Sequence, residues 1–257
     1  MAARRVAGPL DPHRTGNLQR GAIMACDAET ALMLPAKQAR SRATRDRLLA
    51  AGRDLLNDGA FEETSIAQIA AEAGCSVGAF YQRFSDKEAF FSAIVGAVLR
   101  EIIAEADRFA TSRRMSKATV EVALSEAAAH WVKTFRRYRG LFRTAIKKTL
   151  HDEAAWDPIR HAGITAIQPV ISLLATKCGR SADAAFHYRA LVGFQIVFGV
   201  MLNASLHPTV LLGLDSDELI AWANETMRHC LFDALPSALL SYGASGEPNA
   251  RRKSVRN

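Results

Sequence analysis

"GCSVGAFYQRFSDKEAF", residues 74–90, decides the fold. A glycine and a serine cap open a short helical run in which Phe80, Tyr81 and Phe84 stand beside Gln82 and Arg83, and a second cap follows at once. Upstream, Ile66, Ile69, Ala70 and Ala73 keep helical period over another short helix. Thr64 or Ser65 opens that helix, with Gln68 placed as a capping-box partner, and Gly74 closes it. Two short helices joined by "AGCS" form a helix-turn-helix signature. At about 100° per residue, Val77, Phe80 and Phe84 fall on one side of the second helix, read as Ser76 to Phe84. Gly78, Ala79 and Gln82 face the other way, with Arg83 and Tyr81 on the flanks.

Those residue types suit a groove. Small side chains let a backbone approach base edges, glutamine pairs bidentately with adenine, and Arg83 can reach a guanine or a phosphate. Tyr81, on the edge, is placed to donate its hydroxyl to a phosphate. The next helix is read as starting at Ser85, with Ser85 and Glu88 as a capping box. Lys87 then lies in a first turn, where the helix dipole disfavours a cation unless an anion also binds there. Before the first helix, "KQARSRATRDR" supplies Lys37, Arg40, Arg42, Arg45 and Arg47, a basic arm suited to phosphates or a minor groove. A solvated charged surface is the alternative for that arm.

Outward from this region nearly everything keeps helical period, and no strand-like alternation with hairpin turns is found. The expected class is all-α. A first helix runs through Leu48, Leu55 and Leu56 to a stop at Asn57–Gly59; a fourth runs from Ser85 to about Phe109. Later helices are expected over 117–138, 140–152, 157–178, 182–206 and 216–235. Residues 1–36, proline-containing and aperiodic, read as a disordered leader in which both Met1 and Met24 are eligible starts. The remaining divisions are a helix-turn-helix domain at 37–90, a helical regulatory and dimerisation domain at 91–240, and a basic flexible tail at 241–257.

The run at 45–95 resembles the N-terminal DNA-binding domain of the TetR family of transcriptional regulators. The matching stretches are "AAGRDLLNDGAFEETSI", "IAAEAGCSVGAFYQRF" and "DKEAF", in the family's order and spacing. The resemblance implies a three-helix DNA-binding domain on a larger helical domain, working as a homodimer that leaves its palindromic operator when a small-molecule effector binds. It also implies that Thr64 or Ser65 opens the second helix beside a phosphate. Ser76 to Gln82 would lie along the groove, and Tyr81 and Lys87 would hold backbone phosphates. The family often has threonine after the glycine of the recognition helix; here Ala79 lacks that hydroxyl.

Composition agrees with a DNA-binding protein without proving one. The chain of 257 residues carries a formal charge of +7 and a pI near 9.5, which suits an anionic partner. Four well-separated cysteines, Cys26, Cys75, Cys178 and Cys230, form no metal-binding pair and fit a reducing cytoplasm. The longest apolar segment, 190–204, is shorter than the roughly 20 residues that cross a bilayer, so no membrane partner is expected. No catalytic serine elbow, phosphate-binding glycine loop, metal-spaced cluster or cofactor motif is present, which argues against an enzyme.

The second half offers less. "FHYRALVGFQIVFGVMLNASL" is apolar almost all round and must be covered on several sides, by the chain's own core or by a partner subunit. Gly193 and Gly199 would admit a closely packed helix, and "DELIAWANETMRHCLFDAL" would complete a four-helix dimer interface. Trp131, Phe135, Phe142, Tyr188 and Phe194 are the candidates for lining an effector pocket, although aromatics at this spacing also build ordinary core. "KTFRRYRGLFRTAIKK", residues 133–148, is markedly basic; solvation accounts for most of its charge, and an anionic ligand or added DNA contact is the alternative. The leading function is a ligand-responsive regulator, usually a repressor. The rival is a constitutive architectural DNA-binding protein, for which the large apolar second half has no use.

Overall fold

The computed structural model describes residues 35–149, 156–181, 183–207 and 211–233. Residues 42–234 form one compact unit, and the account that follows concerns that unit together with the start of its first helix. The described residues form helices joined by turns and short loops, with no strand among them. In chain order the helices are α1 (Pro35–Asn57), α2 (Ile66–Glu72), α3 (Val77–Tyr81), α4 (Lys87–Thr111) and α5 (Arg113–Lys117). They continue as α6 (Val120–Arg137), α7 (Arg139–Thr149), α8 (Asp157–Lys177), α9 (Ala184–Leu206) and α10 (Glu218–Phe232).

α1 begins at Pro35, inside the stretch read as a leader; residues 1–34 and the basic tail lie outside the described residues. Its inner face, Leu48, Ala51, Leu55 and Leu56, is buried, and Phe61 beyond it packs against Phe90 and Phe91 of α4. α2 opens on Ser65, whose hydroxyl accepts from the Gln68 backbone N–H at 3.3 Å while the Gln68 side chain accepts from the Ser65 N–H at 2.8 Å. This is the capping box, and it settles the alternative in favour of Ser65; the Thr64 hydroxyl instead donates to the Ala60 carbonyl at 2.8 Å. Gly74 turns the chain with φ of +61°, a region that favours glycine. Ser76 then caps α3 through the Ala79 N–H at 3.1 Å.

Three expectations about this region are corrected. α3 ends at Tyr81 rather than Phe84, because the Arg83 and Phe84 amides both fold back onto the Phe80 carbonyl and close a turn. Phe84 stays in the core through that turn, so Ser85 is still outside the next helix and Asp86 is its cap, accepting from the Ala89 N–H at 2.7 Å. Val77, in the first turn of so short a helix, is rotated away from the core and is 41% exposed.

In the second half, α4 packs along α8, α10 lies against both α6 and α9, and α7 rests on α9. The expected helices are present with ends shifted by a few residues, and α5, a single extra turn capped by Ser112, was not anticipated. The apolar segment is longer than the residue pattern suggested. α9 has 23 residues and meets the length and hydropathy of a bilayer span, and it packs against α7, α8 and α10 of its own chain. A Cβ on Gly193 would stand 2.9 Å from the Met227 sulfur and 3.0 Å from the Cys230 Cβ. The close helix that Gly193 admits is therefore the chain's own α10.

Candidate nucleic-acid interface and effector cavity

α3 is held from below by aromatic packing. The buried Phe80 ring meets Phe84 at 5.4 Å and Phe90 at 5.1 Å, and Tyr81 stands edge-on to it at 5.6 Å. Such a layer fixes the short helix, which has too few backbone bonds to persist alone. Above it, Ser76, Gly78 and Gln82 are exposed, Ala79 is half-buried, and Tyr81 is 53% exposed. Gly78, Gln82 and Tyr81 thus reach solvent, and Ala79 does so in part.

The charged members are arranged differently from a simple outward display. Arg83 bends back, its Nη1 donating to the Ala79 carbonyl at 2.6 Å. Lys87 donates to the Glu62 carbonyl at 2.7 Å and lies over the Phe61 ring, so a partner inside the protein accounts for its place in a first turn. Arg47 donates from Nε to the Ala73 carbonyl at 3.0 Å, tying α1 to the end of α2. Arg40 and Arg42 are exposed on α1. The Asp86 carboxyl is held below its ordinary range, first by the Ala89 N–H and then by the Ser85 hydroxyl, and so remains an ionised cap.

Of the five aromatics singled out for an effector, Trp131 and Phe194 meet at 5.3 Å and share a wall of a void with Ile167, Val170 and Met227. That void is only about 20 Å³, room for about one water. Phe135 and Phe142 stack on each other at 4.4 Å and reach the same layer through Phe198, which lies 5.0 Å from Phe135 and 5.5 Å from Phe194. Tyr188 is half-buried and is not among the residues lining the void. Phe198 and Trp156 belong to this aromatic layer and were missed; Phe198 stands four residues after Phe194, one helical turn along the same face. The Trp131 indole N–H is buried without a hydrogen-bond acceptor among the described residues.

The basic stretch is mostly structural rather than solvated. Arg136 donates to the carbonyls of Leu214 at 2.7 Å and Ser216 at 2.9 Å, and Arg137 bridges Glu101 and Glu105 of α4. Glu101 also holds Arg53 of α1 at 2.9 Å. Lys148, near the end of α7, pairs with Glu88 at 2.7 Å and approaches Glu62 at 3.5 Å. At the start of the same helix, a Cβ on Gly140 would lie 2.0 Å from the Leu56 carbonyl oxygen. α7 therefore touches the helix-turn-helix region at both of its ends.

Among the described residues no three histidine, cysteine or acidic side chains gather as a metal site. Residues 48–94 match the family model described as bacterial regulatory proteins, tetR family. No curated protein matches the chain. A TetR-family transcriptional regulator structure from Mesorhizobium loti is similar over 75% of this chain and 96% of that one, at 18% identity and a TM-score of 0.59. FadR from Bacillus subtilis, solved with stearoyl-CoA, is similar over 74% and 98%, at 14% identity and 0.52. The fatty acid degradation regulator FadR from Bacillus halodurans is similar over 78% and 97%, at 17% identity and 0.50. At these identities the structures speak for the fold. The family match covers residues 48–94 and speaks for that region of the chain.

Proposed function

We propose that this TetR-family chain is a ligand-responsive repressor that binds a palindromic operator in double-stranded DNA as a homodimer, in the cytoplasm, and is released by a small-molecule effector. The observation that carries the reading is the outer surface of α3. Gly78, Ala79 and Gln82 give a low surface with one amide above a buried aromatic layer, the relief a major-groove reader needs. Tyr81, and Lys87 after leaving the Glu62 carbonyl, are assigned to phosphates at its edge, Ser76, Ser65 and Thr64 to the backbone nearby, and Arg40 and Arg42 to the flanking duplex. Arg83 is assigned to a phosphate or guanine after leaving the Ala79 carbonyl.

Effector control would run through α7. The aromatic layer of Trp131, Phe135, Phe142, Phe194 and Phe198 has almost no spare volume, so a molecule entering it displaces rings. Phe142 is part of α7, whose ends rest on Leu56 and on Glu88. Displacing that helix would tilt α1 and α4 and with them α3. Successive major-groove faces lie about 34–36 Å apart, so a spread of a few ångströms loses contacts on both half-sites. Driving a 1:99 population to 99:1 requires about 5.5 kcal/mol of effector preference for the released state.

The test is a footprint of the purified chain over inverted repeats flanking its own gene, with and without candidate effectors. Protection of one palindrome that an effector abolishes supports the reading. Equal binding to unrelated DNA at matched salt would instead support the architectural alternative.

A further inference from the structure

The second half also holds a cavity much roomier than the aromatic one. It measures about 250 Å³ and is lined by Arg139 and Arg143 of α7, by Ala204 and Ser205 at the end of α9, and by the segment Gly213–Ser216. Its walls are fixed by the protein itself. Arg136 holds the Leu214 and Ser216 carbonyls, and Arg143 Nε donates to the Ser205 carbonyl at 3.2 Å. The Leu214, Ser216 and Ser205 carbonyls of this rim are thus already engaged by guanidinium donors. The Arg143 Nη groups make no hydrogen bond or ion pair among the described residues. Among the described residues Arg139 is held by Asp215 alone, through Nη1 at 2.9 Å, and both partners of that pair are exposed. Two guanidiniums face one carboxylate around an open cavity, which leaves an excess of positive charge and planar donors to spare.

We propose that this cavity is a binding site for a single oxyanion group, a carboxylate or a phosphate, held by Arg143 and by Arg139 in exchange for Asp215. Guanidinium forks match both oxyanions bidentately, whereas a lone hydroxyl or amine would leave the charge unbalanced. The Asp215 carboxylate is the internal competitor and keeps the arginines poised when the site is empty. Because Arg139 and Arg143 lie on α7, an anion bound here acts on the helix that touches the helix-turn-helix region. The proposal rests on the cavity and its charges and is independent of operator binding.

Thermal unfolding of the full chain, titrated with inorganic phosphate or with acetate at ionic strength held constant by chloride, tests it without DNA. A saturable rise in Tm with one of the two anions is expected, and the anion that gives it identifies the headgroup chemistry. Arg139→Met and Arg143→Met should each weaken that response by about tenfold or more, as for loss of a charge-assisted hydrogen bond. Asp215→Asn should tighten it by about threefold or more, since the competitor is removed. Arg143→Met also removes a contact to Ser205, so the two exposed positions, Arg139→Met and Asp215→Asn, decide the matter if that variant does not fold. An unsaturable response, or Arg139→Met and Asp215→Asn responses equal to that of the unaltered chain, overturns the proposal.

Discussion

At the surface of α3, neighbouring side chains carry different kinds of information. Gln82 presents an amide that can pair bidentately with a base, while Tyr81 presents a hydroxyl at the flank. Gln82→Ala should therefore relax preference at one base position, with about 1–3 kcal/mol of discrimination lost there, whereas Tyr81→Phe should weaken all sequences alike. Competition binding against single-position operator variants separates the two patterns, and a uniform loss from Gln82→Ala would move the reading surface elsewhere. A second residue makes its case through pH. His130 stacks on Phe109 at 4.9 Å, and burial holds its pKa below the ordinary histidine value, against an opposing pull from Glu105 and with a smaller push from Lys133. The unfolded chain thus takes up a proton at a higher pH than the folded one. The stability tied to His130 is complete above about pH 6.5 and is lost as the pH falls from there through the lower folded value. Between pH 7 and pH 5 the Tm of the unaltered protein should fall more than that of His130→Phe. Parallel curves would show that the imidazole titrates no differently in the two states. Asp86, by contrast, is held low and keeps its capping charge until much more acid conditions.

Helices differ in how far their neighbours in sequence determine them. The Gly74 turn and the Ser76 cap were legible because each is settled by residues within four positions, and the α2 cap was legible as Thr64 or Ser65. Removing the Ser65 hydroxyl with alanine should cost about 1 kcal/mol in urea unfolding, the usual worth of such a cap. The choice between Ser85 and Asp86 was not legible, because both residues cap well and the register depends on where Phe84 finds its core partners. Nor was the role of α7, whose contacts join residues more than 50 positions apart. Its basic pattern looks the same whether the charges meet water or, as found, Glu101, Glu105 and the Leu214 carbonyl. Gly140 marks the tightest of these contacts. Gly140→Ala would place a methyl 2.0 Å from the Leu56 oxygen, so α1 or α7 must shift. We expect a loss of about 3 kcal/mol by urea unfolding, at the upper end of overpacking effects. A loss below about 1 kcal/mol would mean that α7 is only loosely docked on α1.

For the molecule as a whole, helical period could establish that α9 is surrounded but not by whom. The structure answers for one side: Gly193 receives Met227 and Cys230 of the same chain. The opposite stripe of α9 carries Gln195, Ile196, Gly199 and Asn203, all exposed, and nothing lies within 4 Å of where a Cβ on Gly199 would stand. Ile196 is 43% exposed, and Phe232 at the end of α10 is 44% exposed. This is the face on which the proposed homodimer would close, with the same helices of a second copy completing four. A charge at its centre would be buried without a partner in the dimer and left harmless in the monomer. Ile196→Glu should therefore sediment as a monomer with its helical content and melting behaviour intact. Since a palindrome rewards two linked half-site contacts, the same variant should lose about 10²-fold or more in operator affinity while retaining weak binding to a half-site. Should Ile196→Glu sediment with the unaltered chain and bind the full palindrome as tightly, the two-fold axis lies on another face, and the spacing of the recognition helices must be derived from there.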